Sequence, residues 1–263
     1  MTTVDLHHTP TSGYNVRQLY LSDLGAALQR GLDDFWSMPS HLVFLGLLYP
    51  LAGLVIGVVT AGQNAFYLLY PLLSGFVLLG PFAAIGLYEV SRRRERGEVP
   101  TWKAALEVVH APGLSALLGI GLLLAILFIA WLITAHAIYT RFFGDTPATS
   151  YSEFFSQVFA SPAGISMIVV GNIIGLVFAI AALSISLFSF PLILDQHASL
   201  QVALQISVRA VWQNFFVCAA WGVIVASLLA AGMAAVLMGL AIVVPVLAHA
   251  TWHLYRRAIE VRY

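Results

Sequence analysis

Charged residues punctuate this chain at wide intervals. Between them lie four stretches without a single Asp, Glu, Lys or Arg: 35–88, 108–140, 154–194 and 210–255. A spanning helix needs about 20 mainly apolar residues to cross about 30 Å of hydrocarbon, so each stretch converts into a helix count. The first holds two helices, near 41–61 and 66–89, with Ala61-Gly62-Gln63-Asn64 as the turn. The second holds one, near 114–139, because Ala111-Pro112-Gly113 breaks its start. The third is long enough to suggest two, but Ser161-Pro162-Ala163-Gly164 punctuates it and leaves one, near 164–191. The fourth holds two, near 212–232 and 235–256, with the turn around Gly232.

Ahead of each pair of spans the pattern changes from uniformly apolar to two-sided. Leu21, Leu24, Leu28, Leu32 and Phe35 recur at helical spacing against Asp23, Arg30, Asp33 and Asp34. Trp102, Leu106 and Val109 do so against Lys103 and Glu107, and Leu200, Leu204, Val208 and Val211 against Gln201, Gln205, Arg209 and Gln213. Such rows predict helices lying on the cytoplasmic interface with their apolar face toward lipid or bundle. The second span of each pair carries a proline, Pro81, Pro191 or Pro245. Pro81 is followed by Tyr88, Arg92 and Arg93 at the same offsets at which Trp252, Arg256 and Arg257 follow Pro245. The middle unit has Asp195, Gln196 and His197 nearby instead. The pattern reads as three repeats of interfacial helix, span and proline-bearing span.

Charge placement tests the count. With six spans and a cytoplasmic N-terminus, eleven of the twelve Lys and Arg residues face inward and only Arg141 faces out. If 154–194 crossed twice, Arg209, Arg256, Arg257 and Arg262 would move outside and the bias would fall to seven against five. Composition agrees: 60% of residues are apolar and 9% charged, against about 25% charged in a soluble domain. The expected fold is an all-α, six-span membrane bundle over residues 17–263, preceded by a disordered polar tail, 1–16. Its N- and C-termini lie in the cytoplasm, and the bacterial inner membrane is its place. The tail lacks the basic start and apolar core of a secretory signal, so the first span is expected to be retained. The lone Cys218 permits no intrachain disulfide, and zero net charge gives no reason to expect nucleic acid as a partner.

Few residues offer chemistry. His249 and His253, four apart on one helix face and about 6 Å apart along its axis, are candidate cofactor-binding residues for haem or a metal, and His41 lies at a similar expected depth. Ala250 stands where a zinc protease needs its general-base Glu, which excludes that chemistry. Histidine, tryptophan, tyrosine and paired arginines at a span end also describe an interfacial anchor, and that is the favoured reading. Glu89 is expected to be salt-bridged beside Arg92, Asn172 to bond between helices, and the run Arg92-Arg93-Arg94-Glu95-Arg96 to fix orientation and touch anionic lipid. There is no P-loop, dinucleotide fingerprint or nucleophile elbow.

Three segments carry a resemblance: Pro39-Ser40-His41-Leu42-Val43-Phe44-Leu45, the run from Gly80 to Arg94, and His249-Ala250-Thr251-Trp252-His253-Leu254-Tyr255-Arg256-Arg257. Together they resemble a bacterial family of predicted integral membrane proteins known as a domain of unknown function, over nearly the whole chain from about residue 17. Some members are labelled cytochrome c oxidase subunits, so the resemblance implies an association with respiratory complexes. The catalytic oxidase subunit needs six histidine ligands over about a dozen spans; this chain has eight histidines, two of them in the tail, and half the spans. The expected function is therefore that of a non-enzymatic scaffold or accessory subunit, with the lipid bilayer and other membrane proteins as partners. A small transporter or channel is the alternative, and a haem- or metal-binding membrane protein the second alternative. The sequence names no cofactor.

Overall fold

The computed structural model describes residues 13–37, 51, 54, 55, 58, 66–78, 84–98, 107, 113–144, 148, 150–235 and 238–261. In chain order these form β1 (Tyr14–Val16), α1 (Leu21–Ser37), a 3-10 turn (Phe66–Leu68), α2 (Leu69–Leu78), α3 (Ile85–Glu95) and α4 (Leu114–Phe143). There follow α5 (Tyr151–Ala160), α6 (Pro162–Ser186), α7 (Ser189–Gln196), α8 (Leu200–Gln213), α9 (Phe215–Ala234), α10 (Leu240–Ala258) and β2 (Ile259–Val261). Among the described residues the architecture is all-α, apart from one small strand pair.

Among the described residues, three helical stretches are long and apolar enough to cross a membrane: Leu114–Phe143, Pro162–Gln196 and Phe215–Ala234. Each is apolar on both faces. On α4, Leu117, Ile120, Leu124, Trp131 and Tyr139 turn inward, while Leu118, Leu122, Ile126, Ile129 and Ile133 form an exposed stripe. A lipid medium makes such a stripe costless, because there the outward face has no water to avoid. Gly144 ends α4 with a φ of 72°, in the left-handed region that glycine tolerates best.

The second of these stretches, Pro162–Gln196, breaks at Leu187–Phe188, where α6 gives way to α7 just ahead of Pro191. The Ser207 hydroxyl of α8 donates to the Ser184 carbonyl (2.8 Å) and accepts from the Phe188 amide (3.2 Å). These are the two backbone groups that an unbroken helix would pair with each other. A side chain inserted into the ladder is a sufficient cause of the bend.

Two other expectations shift. Along 66–89 the chain forms α2 and then α3, which runs on to Glu95; residues 79–83, Pro81 included, and most of 41–61 lie outside the described residues. Between Arg141 and Pro162, where no element is expected, α5 forms, capped by the Ser150 hydroxyl accepting from the Glu153 amide. It meets α6 so tightly that a Cβ on Gly164 would lie 2.2 Å from the Val158 carbonyl oxygen.

The sixth expected span, α10, is buried on every side from Val244 to Ala250, and only Ile242 and Arg256 of its residues are exposed. A helix covered all round sits at the centre of a bundle. Its largest neighbour is α1, expected with one face toward lipid or bundle; that face packs lengthwise against α10 through Leu24, Ala27, Gly31, Asp34 and Phe35. Leu21 and Leu32, members of the expected apolar row, are exposed. A similar shift appears in α8: of the expected row Val211 is buried but Val208 is exposed, and Val202, Ala203, Ile206, Ser207 and Ala210 are buried beside Val211. Small residues win these faces because they allow close helix approach.

Residues 14–16, assigned to the polar tail by composition, form β1 and pair antiparallel with β2, Asn15 opposite Glu260. Arg17 extends the pairing through a backbone bond to Ala258 and a salt bridge to Glu260 (3.0 Å). The Asn214 side chain completes this clasp, accepting from the Leu19 amide (2.7 Å) and donating to the Arg17 carbonyl (3.0 Å).

Candidate functional site

The most concentrated polar chemistry in the described residues lies where α1, α3 and α10 meet. Gly31 makes the meeting geometrically feasible: a Cβ there would lie 2.7 Å from the Ala250 nitrogen and 2.8 Å from the Val246 carbonyl oxygen. With α10 this close, Asp34, one helical turn beyond Gly31, faces the ridge formed by His249 and His253. Ser91 and Arg94 reach the same point from successive turns of α3.

Asp34 is 6% exposed, and both its carboxylate oxygens are used. Oδ2 accepts from the Ser91 hydroxyl (2.6 Å) and faces His253 Nε2 (2.8 Å), while Oδ1 accepts from Arg94 Nη1 (2.7 Å). Burial works against the charge on this carboxyl, but hydrogen bonds from His253 and Ser91 outweigh it and hold the group below its ordinary value of 3.8. Asp34 is therefore an anion at neutral pH.

That charge state fixes the direction of the neighbouring bonds. An anionic carboxylate only accepts, so the hydrogen between Ser91 and Asp34 belongs to the serine. The Ser91 oxygen must then accept from His249, whose Nδ1 lies 2.7 Å away. His249 is consequently the Nδ1–H tautomer when neutral, with its lone pair on Nε2. Nε2 is buried and has no hydrogen-bond partner among the described residues.

Around this cluster runs a belt of ion pairs. Glu89, 3% exposed, accepts from Arg92 and Arg93, each at 2.7 Å. Arg257 reaches Asp23 (2.6 Å), and Arg256 reaches Glu95 (3.0 Å) and Asp195 (3.3 Å). Arg92 and Arg256, at equivalent offsets from Pro81 and Pro245, both donate to the C-terminal end of α7, at the Leu194 carbonyl and the Asp195 carboxylate. Asp195, where the middle unit departs from the other two, is thus the acceptor for an arginine of the third unit. A helix C-terminus favours such cations.

Of the residues singled out from the sequence, His249 and His253 do come together, and His41 lies outside the described residues. The favoured anchor reading is overturned: His249, Trp252 and Tyr255 are fully buried, Trp252 donates to Glu95 and Tyr255 to Asp195. The arginine run is likewise committed to protein acids at Arg92, Arg93 and Arg94. Glu89 is salt-bridged as expected, and Asn172 accepts from Tyr70 of α2 (3.2 Å), although on an exposed face. Asp34, Ser91 and Arg94 were not singled out as site residues. Their signals were an acid one turn from a glycine, and a serine and an arginine one turn apart. Among the described residues no group of three His, Cys, Asp or Glu side chains is arranged to hold a metal ion.

Apolar helices of spanning length around a central helix, with the polar groups gathered at one end, define a polytopic α-helical integral membrane protein. Residues 69–195 match the sequence model of the family described as predicted integral membrane protein (DUF2189), a family of unknown function. The match runs from the start of α2 into α7, narrower than the resemblance read from residue 17, and it includes Ser91 and Arg94 but neither Asp34 nor the two histidines. No curated protein and no solved structure matches the chain.

Proposed function

We propose that the chain is a six-span protein of the bacterial inner membrane, with both termini cytoplasmic, working as a non-enzymatic scaffold or accessory subunit of a membrane complex. The topology is supported by the β1–β2 clasp: ends that pair lie on one face of the membrane, which requires an even number of crossings. Counting α10, the α2–α3 stretch and 41–61 beside the three long apolar stretches gives six. The excess of basic residues at the clasped end favours the cytoplasmic face.

The scaffold reading rests on one observation, the closure of the polar base upon itself. Asp34, Glu89, Glu95 and Asp195 are all answered by side chains of the same chain. What remains for a partner is the apolar outer surface of α4, α6 and α9. Cross-linking in native membranes, followed by purification in mild detergent, tests this reading. Co-purifying membrane proteins, respiratory subunits among them, are expected. A strictly solitary monomer contradicts it.

A further inference from the structure

The outward face of α8 divides into two rows, each stepping by one helical turn. Gln201, Gln205, Arg209 and Gln213 form a polar row, all of it exposed. Beside it Val208 and Trp212 lead into Phe216 at the start of α9; these three are 37%, 58% and 86% exposed. The rings touch: Trp212 stacks on Phe215 with centroids 5.4 Å apart, and Phe215 meets Phe216 edge-on at 5.8 Å. The same exposed side continues into the span at Val223, two turns beyond Phe216. We propose that this face binds an anionic phospholipid, with Arg209 on the headgroup phosphate, Trp212 at the level of the ester groups and Phe216 among the acyl chains.

The ends of α8 set its depth. Leu200, at one end, lies against Gly119 in the second turn of α4, where a Cβ would come 2.8 Å from the leucine Cδ2. Asn214, just past the other end, holds the β1–β2 clasp. Both ends thus sit at the polar base, and the helix runs along the rim of the bundle rather than across it. Its inner face is tied to the bend between α6 and α7 through the Ala203 carbonyl and the Ser207 hydroxyl, which leaves the two rows facing outward. A polar row beside an apolar one at this depth suits the boundary between headgroups and acyl chains.

Charge selects the lipid. Arg92, Arg93, Arg94, Arg256 and Arg257 are each answered by an acid of the chain. The Arg209 side chain has no ion-pair or hydrogen-bond partner among the described residues. Nor does its neighbourhood in sequence offer one: no Asp or Glu lies between Asp195, which is held by Tyr255 and Arg256, and Glu260, which is held by Arg17. The anion at hand for this guanidinium is the membrane's own phosphate, which its planar fork of N–H donors fits in bidentate fashion. Phosphatidylglycerol carries that phosphate without the compensating ammonium of phosphatidylcholine, so it is the favoured occupant. This site goes beyond the scaffold reading and holds for either orientation of the chain.

The full chain in lipid nanodiscs, which present both membrane faces, tests the proposal. Gln205→Cys in a Cys218→Ser background carries a nitrobenzoxadiazole fluorophore one turn from Arg209. The discs are phosphatidylcholine with a small fraction of either phosphatidylglycerol or phosphatidylcholine bearing a nitroxide near the top of the acyl chain. The phosphatidylglycerol probe should quench with about fivefold higher apparent affinity, as one basic side chain at an anionic surface provides, and added salt should weaken the preference. Arg209→Gln should abolish it, Arg209→Lys should keep most of it, and Arg141→Gln, at the far end of α4, should leave it unchanged. Arg209 is exposed, so its replacement spares the fold. Equal quenching by the two probes in the chain that retains Arg209 overturns the site, and so does a preference that survives Arg209→Gln. A solitary monomer, which contradicts the scaffold reading, leaves this result untouched.

Discussion

Replacing Asp34 by alanine removes the one anion on which α1, α3 and α10 converge. The change strands Arg94, Ser91 and His253 together, and His249 loses the group that orients Ser91. Removing one partner of a buried ion pair costs about 3–5 kcal/mol, because the other charge is left uncompensated. Here the Arg94 side chain is 38% exposed and can rehydrate, so the loss falls at the lower end, about 3 kcal/mol. The assay is unfolding of the purified chain in lipid nanodiscs, with Asp33→Ala as the control. Asp33 is exposed, and its replacement should change stability by no more than about 0.5 kcal/mol. The effect carries a pH signature. The Asp34 carboxyl titrates lower in the folded chain than its ordinary 3.8, so its contribution is complete above that value and is lost as pH falls through the folded value. Wild type and Asp34→Ala should therefore differ at pH 7 and converge in acid. A loss below about 1 kcal/mol at neutral pH, or a difference that persists unchanged in acid, refutes the reasoning.

Three further substitutions probe the packing that sets up the cluster. Gly31→Val forces atoms into the Ala250 and Val246 backbone of α10; it should destabilise by at least about 1–3 kcal/mol and speed hydrogen exchange along α1. Asn214→Ala leaves the Leu19 amide and the Arg17 carbonyl without their side-chain partner; about 1–3 kcal/mol should be lost, with exchange rising first at 17–20. Ser207→Val removes the hydroxyl that bridges the bend between α6 and α7; a loss of about 1–3 kcal/mol is expected, read by the same unfolding assay, and an unchanged midpoint would show that the bend does not need it.

The helices within the uncharged stretches were legible because lipid imposes one rule, a long apolar run, and α4, α6 and α9 follow the expected bounds to within about five residues. Which face of α1 and α8 would be buried was not. Hydrophobicity ranks Leu21, Leu32 and Val208 above Gly31, Ala27 and Ala203, yet close approach selects the small residues, and no periodicity of apolar residues reveals that. The strands were hidden for a different reason: three-residue segments at the two ends of a chain carry no local pattern, and their pairing is a property of the folded whole. His249 and His253 stood out by residue type and spacing. Their partners did not, because Asp34, Ser91 and Arg94 lie far from them in sequence and each has an ordinary surface role in its own segment. By residue type the aromatics and paired arginines after Pro245 suggest a membrane anchor, yet they are ion-pair and packing groups. Burial decides between those roles, and a single sequence does not encode burial directly.

In the proposed topology β1 and β2 meet on one face of the membrane. Single cysteines at Asn15, Glu260 and Glu153, in a Cys218→Ser background, should be reacted with a membrane-impermeant maleimide in sealed vesicles of each orientation. Positions 15 and 260 should label only from the cytoplasmic face, and position 153, in α5 beyond the outer end of α4, only from the other. Labelling of 15 and 260 from opposite faces, or of 153 from the same face as both, contradicts the account.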